Sequence, residues 1–551
     1  MNPLSLGLDS FKHLIDDKSI YIDKTMFLYE ILKRYKPYFL SRPRRFGKTL
    51  LVDTLYNILK GNKELFNGLW IYDADYNWKR YPVINLSLAS INDESITTVK
   101  EGLINKLLTI ANLEKIALRG TNYVDIFEAL IVDLNVKYNL PVAILIDEYD
   151  APIVKQIEEL SLAIEMQNTL KRFYAVLKAV NDQRGFIFIT GVSKFAQTSI
   201  FSALNNLEDI TLSPKYSTIC GITEAELDRL YPQYMQNMLD SLKNDKAMKP
   251  EATISDLKEL IFQWYDGYSW DGVTSVLNPW SILNMFNTNF FGDYWSRTGG
   301  VPSFLVNLIR SGMVDVMEFK DLETINDTLN IIQLGNELES IPILFQTGYL
   351  TVDKIFKTSG NPEFSLKIPN LEVKTSIIPL LLSLKSIKQP LDAQQNAIKM
   401  LNSIIAMDVT GFQDAFGNFL SDFSYSTHES HEAYYHSLFK AAMYLAGEKI
   451  DHEVSVGDGK YDASYQAPDG TRFIFEIKYC PFEKTNERTK IGKATASDLN
   501  KMNNLAMTAL KQIDNQNYTK PYRGLGNKIY KVALVVGGRT EVLVKFEEET
   551  A

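Results

Sequence analysis

A multidomain α/β protein is what this sequence predicts: a parallel sheet wrapped by helices comes first, and a second, smaller α/β unit comes last. Three observations predict it. Four short apolar runs in the first 215 residues alternate with helical patterns. Two of those runs lead into charged loops, "RPRRFGKT" and "DEYD". After about residue 430 a helix, a strand pair, a further helix and a further strand follow one another. With 551 residues, and roughly 150 residues per domain, three or four domains are expected.

Composition bounds the class. Hydrophobic residues make up 45% and charged residues 23% of the chain, the balance of an ordinary globular protein, which excludes disordered and fibrous classes. Two cysteines, Cys220 and Cys480, cannot build a disulfide framework, so a reducing cytoplasm is the expected compartment. "MNPLSLGLDSFKHLIDDKS" has no basic segment followed by a long apolar core, so no secretory signal is read. Runs such as "ALVV" and "AILI" fall far short of the ~20 residues that span a bilayer. The net charge of −9 argues against a surface that binds nucleic acid everywhere. Its distribution is uneven, because Lys478 to Lys531 holds eleven Lys/Arg against four Asp/Glu, a net of +7.

The four runs are "PYFLS", "YPVINLSL", "PVAILID" and "GFIFITGVS", each short and rich in β-branched or aromatic residues. Helical patterns such as "LLVDTLYNILKG" and "LAIEMQNTLKRFYAVLKAVND" separate them. Parallel sheets bind ligands at the carboxyl ends of their strands, so the loops after these runs are where chemistry is expected. From about Tyr216 to Ile368 the strand signal fades, and "ITEAELDRLYPQYMQNMLDSL" and "VPSFLVNLIRSGMV" read as helices, with aromatic-rich turns such as "WYDGYSWDG". "PNLEVKTSII" reads as a boundary. The expected organisation is a sheet domain over residues 1–215, a helical extension over 216–368, a connecting segment over 369–428 and a second α/β domain over 429–551.

The first run turns through "RPRRFGKT" into a helix. Gly47 lets the backbone approach phosphates, Lys48 offers a point charge to the β- and γ-phosphates, and the Thr49 hydroxyl can ligate Mg²⁺. The helix N-terminus adds partial positive charge. Arg42 stands where the first glycine of G-x-x-x-x-G-K-[ST] is expected, and arginine does not readily take a positive φ; Arg44 and Arg45 supply further charge. A chance Gly-Lys-Thr is the competing reading. Against it, "AILIDEYD" ends a buried strand with Asp147, placed beside a metal, and Glu148, placed to polarise an attacking water. "FIFITGVSKF" ends another strand with Thr190, Ser193 and Lys194, polar groups in reach of a γ-phosphate. Together these describe a P-loop nucleotide site. ATP and Mg²⁺ would be held by Arg44, Arg45, Gly47, Lys48, Thr49, Asp147, Thr190 and Ser193, with Glu148 as the catalytic carboxylate.

Near the C-terminus, "GKYDASYQAPDGTRFIFEIKYC" reads as two strands joined at "PDG". Side chains two apart on a strand share a face, so Glu476 and Lys478 point together while Phe475 and Ile477 point into the core. Asp462, fourteen residues before Glu476, reaches the same face from the neighbouring strand. A simple salt pair on a strand is the competing reading. Asp462, Glu432 on the preceding helix and the basic surroundings favour a Mg²⁺ site in which the acids ligate the ion and the lysine positions water or offsets phosphate charge. Gln512 and Tyr518 lie at the end of the following helix.

With these residues in place, the chain resembles the prokaryotic proteins that join an N-terminal AAA-ATPase-like domain to a C-terminal PD-(D/E)XK nuclease-superfamily domain, a restriction-endonuclease-like fold. The stretches that carry the resemblance are "YIDKT", "RPRRFGKT", "YPVINL", "LIDEYDAPI", "TGVSKF", "IFSALNNLEDIT", "WYDGYSW", "NPWSIL", "HEAYYHSLF", "GKYD", "FEIKY" and "ALKQIDNQNY", in that order along nearly the whole chain. The resemblance implies that the arginine-rich loop without the first glycine is the family's own form. It assigns Lys48, Thr49, Asp147 and Glu148 to ATP and Mg²⁺, and Asp462, Glu476 and Lys478 to a D…ExK core with Glu432 and Gln512 as accessory positions. Lys460 stands where the family usually has arginine, and Tyr461 replaces the proline that gives the superfamily its name. The expected function is ATP binding and hydrolysis coupled to a Mg²⁺-dependent nuclease. The expected partner is nucleic acid, DNA ahead of RNA, with no membrane and with homo-oligomerisation left open. The alternatives are an ATP-dependent, non-catalytic switch with an inactive nuclease-like domain, and an ATPase acting on protein partners.

Overall fold

Continuous apolar runs make strands that can be covered on both faces, and the computed structural model places the four N-terminal runs in one sheet. It describes residues 2–34, 36–157, 159–194, 204, 206–245, 247–296, 322–325, 329, 340–356, 362–376, 390–421, 432–447, 451–456, 459–482, 494–523 and 528–549. The chain divides into two units, Met1–Val373 and Lys374–Ala551.

In the first unit, β1 (Pro37–Ser41), β2 (Val83–Ser87), β3 (Val142–Asp147), β4 (Arg184–Gly191) and β5 (Glu208–Asp209) form a parallel sheet in the order β2-β3-β4-β1-β5. Every residue of β1 and β3 is buried, so both faces are covered, as the apolar runs predict. β4 stands between β1 and β3, and Ile189 pairs with Phe39 on one side and Ile146 on the other. This register brings the carboxyl ends of the three strands side by side, and with them "RPRRFGKT", "DEYD" and "TGVS".

Beyond the sheet, helices span Glu224–Leu230, Pro232–Asn244, Ile254–Tyr265 and Pro279–Thr288 around a core that includes Tyr231, Met238, Ile261, Tyr265 and Phe286. The region also contains strands. "WYDGYSWDG" leads into a two-stranded ribbon, β6 (Tyr268–Ser269) with β7 (Ser275–Val276), and β8 (Leu322–Ile325), β9 (Thr351–Phe356) and β10 (Glu363–Lys367) form an antiparallel sheet in the order β8-β10-β9. The ribbon strands are two residues long, β9 is buried only at Thr351 and Val352, and β10 is buried only at Phe364 and Leu366, so none shows the continuous apolar run that marks β1 to β4. The expected helix "VPSFLVNLIRSGMV" lies outside the described residues.

The second unit holds a five-stranded mixed sheet, β11 (Asp451–Val456), β12 (Gly459–Gln466), β13 (Arg472–Cys480), β14 (Ile529–Gly537) and β15 (Glu541–Glu548), in that order. Only β13 and β14 run parallel. "PDG" makes the β12–β13 turn with Gly470 at φ 91°, a conformation that a side chain would strain. Phe473, Phe475 and Ile477 pack with the helices Pro390–Ala406, Val409–Ser421 and Glu432–Leu445. The other face of β13 and β14 carries Ile474, Cys480, Ala533 and Val535 against the helix Ala496–Asn515. The stretch expected to connect the domains thus contributes two helices to this core. Among the described residues, no helix is long and apolar enough to cross a membrane.

Candidate functional site

The first cluster forms where β1, β3 and β4 end. The loop after β1 takes its left-handed turns at Arg45 (φ 69°) and Gly47 (φ 87°), and Arg42 is not among the positive-φ residues. That resolves the missing first glycine: the turn falls at other positions. Arg42 is instead buried, donating to the carbonyls of Ser41 (2.9 Å), Thr211 (2.9 Å) and Tyr216 (3.1 Å) with its guanidinium 3.9 Å over the Trp270 ring. The helix Lys48–Leu59 starts directly after Gly47. The Lys48 ammonium is buried and donates to the carbonyls of Arg42 and Pro43, both at 2.9 Å; burial pushes its pKa down.

Asp147 is the hub. Thr49 Oγ1 donates to its Oδ2 at 2.8 Å, and Thr190 Oγ1 (3.2 Å) and the Glu148 amide (3.1 Å) donate to its Oδ1. Glu148 sits at φ 50° and, with Arg44, Arg45, Gly47, Lys48, Thr49 and Lys155, lines a cavity of about 540 Å³. Thr49, Asp147 and Thr190 are therefore brought together, and of these Thr49 lines the cavity beside Glu148. Ser193 is placed differently: its amide donates to Asp150 Oδ2 (2.6 Å), its carbonyl accepts from Tyr149, and it does not line that cavity. The Lys194 ammonium pairs with Asp209. Asp150, held by the Val192 and Ser193 amides, is pushed up to about 6 by burial.

The second cluster forms where β12 and β13 separate. Their last pair is Ala463 with Phe475, so the Ile477 amide has no ladder partner on β12. The Asp462 carboxylate takes that place, with Oδ2 accepting from Ile477 N at 2.7 Å. Strand alternation puts Glu476 and Lys478 on one side of β13, and Lys478 Nζ lies 2.8 Å from Glu476 Oε1. Glu432, the first residue of its helix, reaches in from the side; its Oε1 is 3.4 Å from Lys478 Nζ and its Oε2 accepts from Tyr479 N at 3.4 Å.

Glu476 is 1% exposed, and its Oε2 has no hydrogen-bond partner among the described residues. Burial and the Asp462 charge push it up to about 7, and burial also raises Asp462. Burial works against the Lys478 charge, but Glu476, Glu432 and Asp462 together hold its pKa above the ordinary lysine value, so it stays an ammonium.

His436, absent from the sequence-based assignment, joins this cluster. Its Nε2 lies 3.1 Å from the Ile477 carbonyl and 3.6 Å from Asp462 Oδ2. Its spacing of four from Glu432 on one helix is the signal that could have found it. Gln512 lies on the flank of the buried stripe Ala506, Ala509, Leu510 and Ile513; none of the described hydrogen bonds joins its side chain to Asp462, Glu476 or Lys478. Tyr518 packs edge-on against Tyr461 in a small core with Ile474, Ile513 and Ile529.

The basic window is partly neutralised, mostly from outside its own span. Arg523 pairs with Glu549, Lys528 with Glu548, and Lys531 with Asp514, Glu547 and Glu549. Its stretch 483–493 lies outside the described residues.

Among the described residues, no three His, Cys, Asp or Glu side chains stand close enough to hold a metal by themselves. Two carboxylates with an orphaned buried oxygen fit a hard cation that keeps several waters and takes a ligand from its substrate.

Comparison with known proteins is consistent with both clusters. A family model described as a predicted AAA-ATPase matches residues 5–201, and one described as the PD-(D/E)XK nuclease superfamily matches residues 430–546. A protein of Azotobacter chroococcum mcd 1, named "Uncharacterized protein in vnfD 5'region", is 30% identical over 558 residues, covering 99% of each chain.

Proposed function

We propose, for a chain that belongs to the family of predicted AAA-ATPases carrying a C-terminal PD-(D/E)XK nuclease-superfamily domain, that ATP bound in the first unit controls a Mg²⁺-dependent nuclease in the second. One observation carries the nuclease half: Glu476 is a buried carboxylate with one oxygen unpartnered among the described residues, beside Asp462 and Lys478. A buried carboxylate oxygen left without a partner is costly even when the other oxygen is paired, and a cation with a phosphodiester would relieve it.

In this reading Asp462 and Glu476 supply the metal's protein oxygens. Bound Mg²⁺ would polarise the scissile phosphate and acidify a water. Lys478 remains charged and offsets the negative charge that builds on the phosphate. Glu432 and Glu476 fix the lysine's place, and the Ile477 amide fixes Asp462. In the first unit, Lys48 would exchange the Arg42 and Pro43 carbonyls for the β- and γ-phosphates, Thr49 and Asp147 would hold Mg²⁺, and Glu148 would orient the attacking water. The substrate is nucleic acid, DNA ahead of RNA, in the cytoplasm.

The test uses full-length protein on a panel of linear and supercoiled DNA and of RNA, with and without ATP and Mg²⁺. Lys48→Ala should lose nucleotide binding. Asp462→Ala and Lys478→Ala should lose cleavage while still binding nucleotide. Failure of the wild type to cut any substrate under any of these conditions would remove the nuclease half.

A further inference from the structure

The arginine loop is clasped by aromatic side chains of the helical extension. Phe46 meets Tyr268 and Trp270 edge-on, with ring centroids 4.8 and 5.6 Å apart. The Arg45 guanidinium lies 4.4 Å over Trp280, and Trp295 Nε1 donates to the Arg44 carbonyl at 3.3 Å. Those aromatic elements are in turn held by Pro369–Val373, where the chain leaves the first unit.

Glu372 is fully buried and accepts from Ser281 Oγ (2.8 and 2.9 Å) and from the amides of Tyr294 (2.8 Å) and Trp295 (2.9 Å). Trp280 Nε1 donates to the Tyr294 carbonyl at 3.2 Å, so both tryptophans hang from this one carboxylate. Asn370 donates to the Asp266 carbonyl at 2.9 Å and accepts from the Val373 amide at 3.0 Å. Pro369 O presses on Gly267, where a Cβ would come within 2.2 Å of it. One layer of side chains thus separates the phosphate loop from the exit segment.

We propose that Glu372 is a positioning residue of the nucleotide site, setting Trp280 and Trp295 against Arg45 and Arg44. Through Val373 it carries any rearrangement of the arginine loop to the point where the chain passes to the second unit. The inference rests on "RPRRFGKT" being a triphosphate site. A buried carboxyl suits this role because it accepts from two backbone amides and a hydroxyl at once, and a buried hydrogen-bond network of this kind holds its members in one geometry.

The experiment measures ATP–Mg²⁺ affinity and backbone hydrogen exchange at Tyr294, Trp295 and Val373 in the full-length chain. Glu372→Gln keeps the shape and one acceptor oxygen, and Ser281→Ala removes a single donor, so at least one of them should fold even if Glu372→Ala does not. ATP should slow exchange at Val373 in the wild type. Glu372→Gln should weaken ATP binding by fivefold or more and erase the Val373 response, and Arg45→Ala should erase the same response. Wild-type affinity and an unchanged Val373 response in both Glu372→Gln and Ser281→Ala would overturn the inference and leave the triphosphate site standing. A wild type that binds no ATP would overturn both.

Discussion

The two acidic clusters solve opposite problems. At the end of β3, Asp147 has both oxygens bonded from Thr49, Thr190 and the Glu148 amide, and Lys48 rests on two carbonyls. At the parting of β12 and β13, Glu476 keeps a buried oxygen with no partner among the described residues, and its pKa is pushed up to about 7. In the first cluster the Asp147 carboxylate and the Lys48 ammonium are already bonded by the protein, so a ligand would bind there by exchanging partners. The second gathers three carboxylates around one lysine, so a cation would bind by relieving them. Metal alone should therefore register in the second unit, whereas the first should wait for a nucleotide.

The largest expected effect tests that contrast directly. Mg²⁺ without nucleotide should raise the melting temperature of the second unit, because a ligand that binds only the native state stabilises it. Glu476→Gln should erase that rise and lower cleavage on the order of 10³-fold, while leaving the nucleotide response of the first unit in place. Calorimetry with and without Mg²⁺ reads the first outcome. A metal-induced rise that survives in Glu476→Gln would break the comparison.

Next in size is Arg42. Restoring the glycine that a standard phosphate loop has at this position should harm the protein. Arg42→Gly strands the carbonyls of Ser41, Thr211 and Tyr216 and empties the space over Trp270. Losing charge-assisted hydrogen bonds at a buried site costs about 3 kcal/mol or more. Urea unfolding should show that loss in the first unit. A variant as stable as the wild type would mean that the first cluster is not held together by its own partners.

What the sequence makes legible follows from local rules. β1 to β4 announce themselves because strands buried on both faces must be apolar throughout, and Glu476 and Lys478 share a face because the strand period is two. The unread parts depend on tertiary neighbours. His436 reaches Ile477 only once its helix packs on β13. The burial of Arg42 depends on Thr211, Tyr216 and Trp270, all more than 160 residues away in a chain of 551. The +7 window looks uncompensated in the sequence because its counter-charges, Glu547, Glu548 and Glu549, come from β15 and the residue after it, which only sheet pairing brings alongside.

A smaller effect is read by pH in the first unit. Burial raises Glu372 from its ordinary 4.5 to about 7, so between those values the folded first unit binds a proton that the unfolded chain releases. Stability from this group is therefore greatest below about 4.5 and is lost as pH rises through about 7. Wild-type protein should gain about 2 kcal/mol relative to Glu372→Gln on going from roughly pH 7.5 to pH 5. Asp150 shifts in the same direction, and the difference between the two proteins cancels it. Parallel stability curves for wild type and Glu372→Gln would show that this carboxylate is already charged in the fold.

The smallest expected effect concerns the cations around the second cluster. Lys478 touches Glu476 and Glu432, whereas Lys528 is two-thirds exposed and stands 3.8 Å from Glu548. An exposed pair at that distance contributes within about 0.5 kcal/mol. With Glu548 beside it, Lys528 offers little net field to a phosphate backbone. Lys528→Ala should leave cleavage within about twofold of wild type and the salt dependence of DNA binding nearly unchanged, since that slope counts phosphates neutralised. Glu548→Ala, by freeing the lysine, should strengthen DNA binding slightly and steepen the slope. If Lys528→Ala instead abolished binding, the charge balance of the second cluster would be set by the rim of the unit, and the contrast with the first cluster would have to be redrawn around that rim.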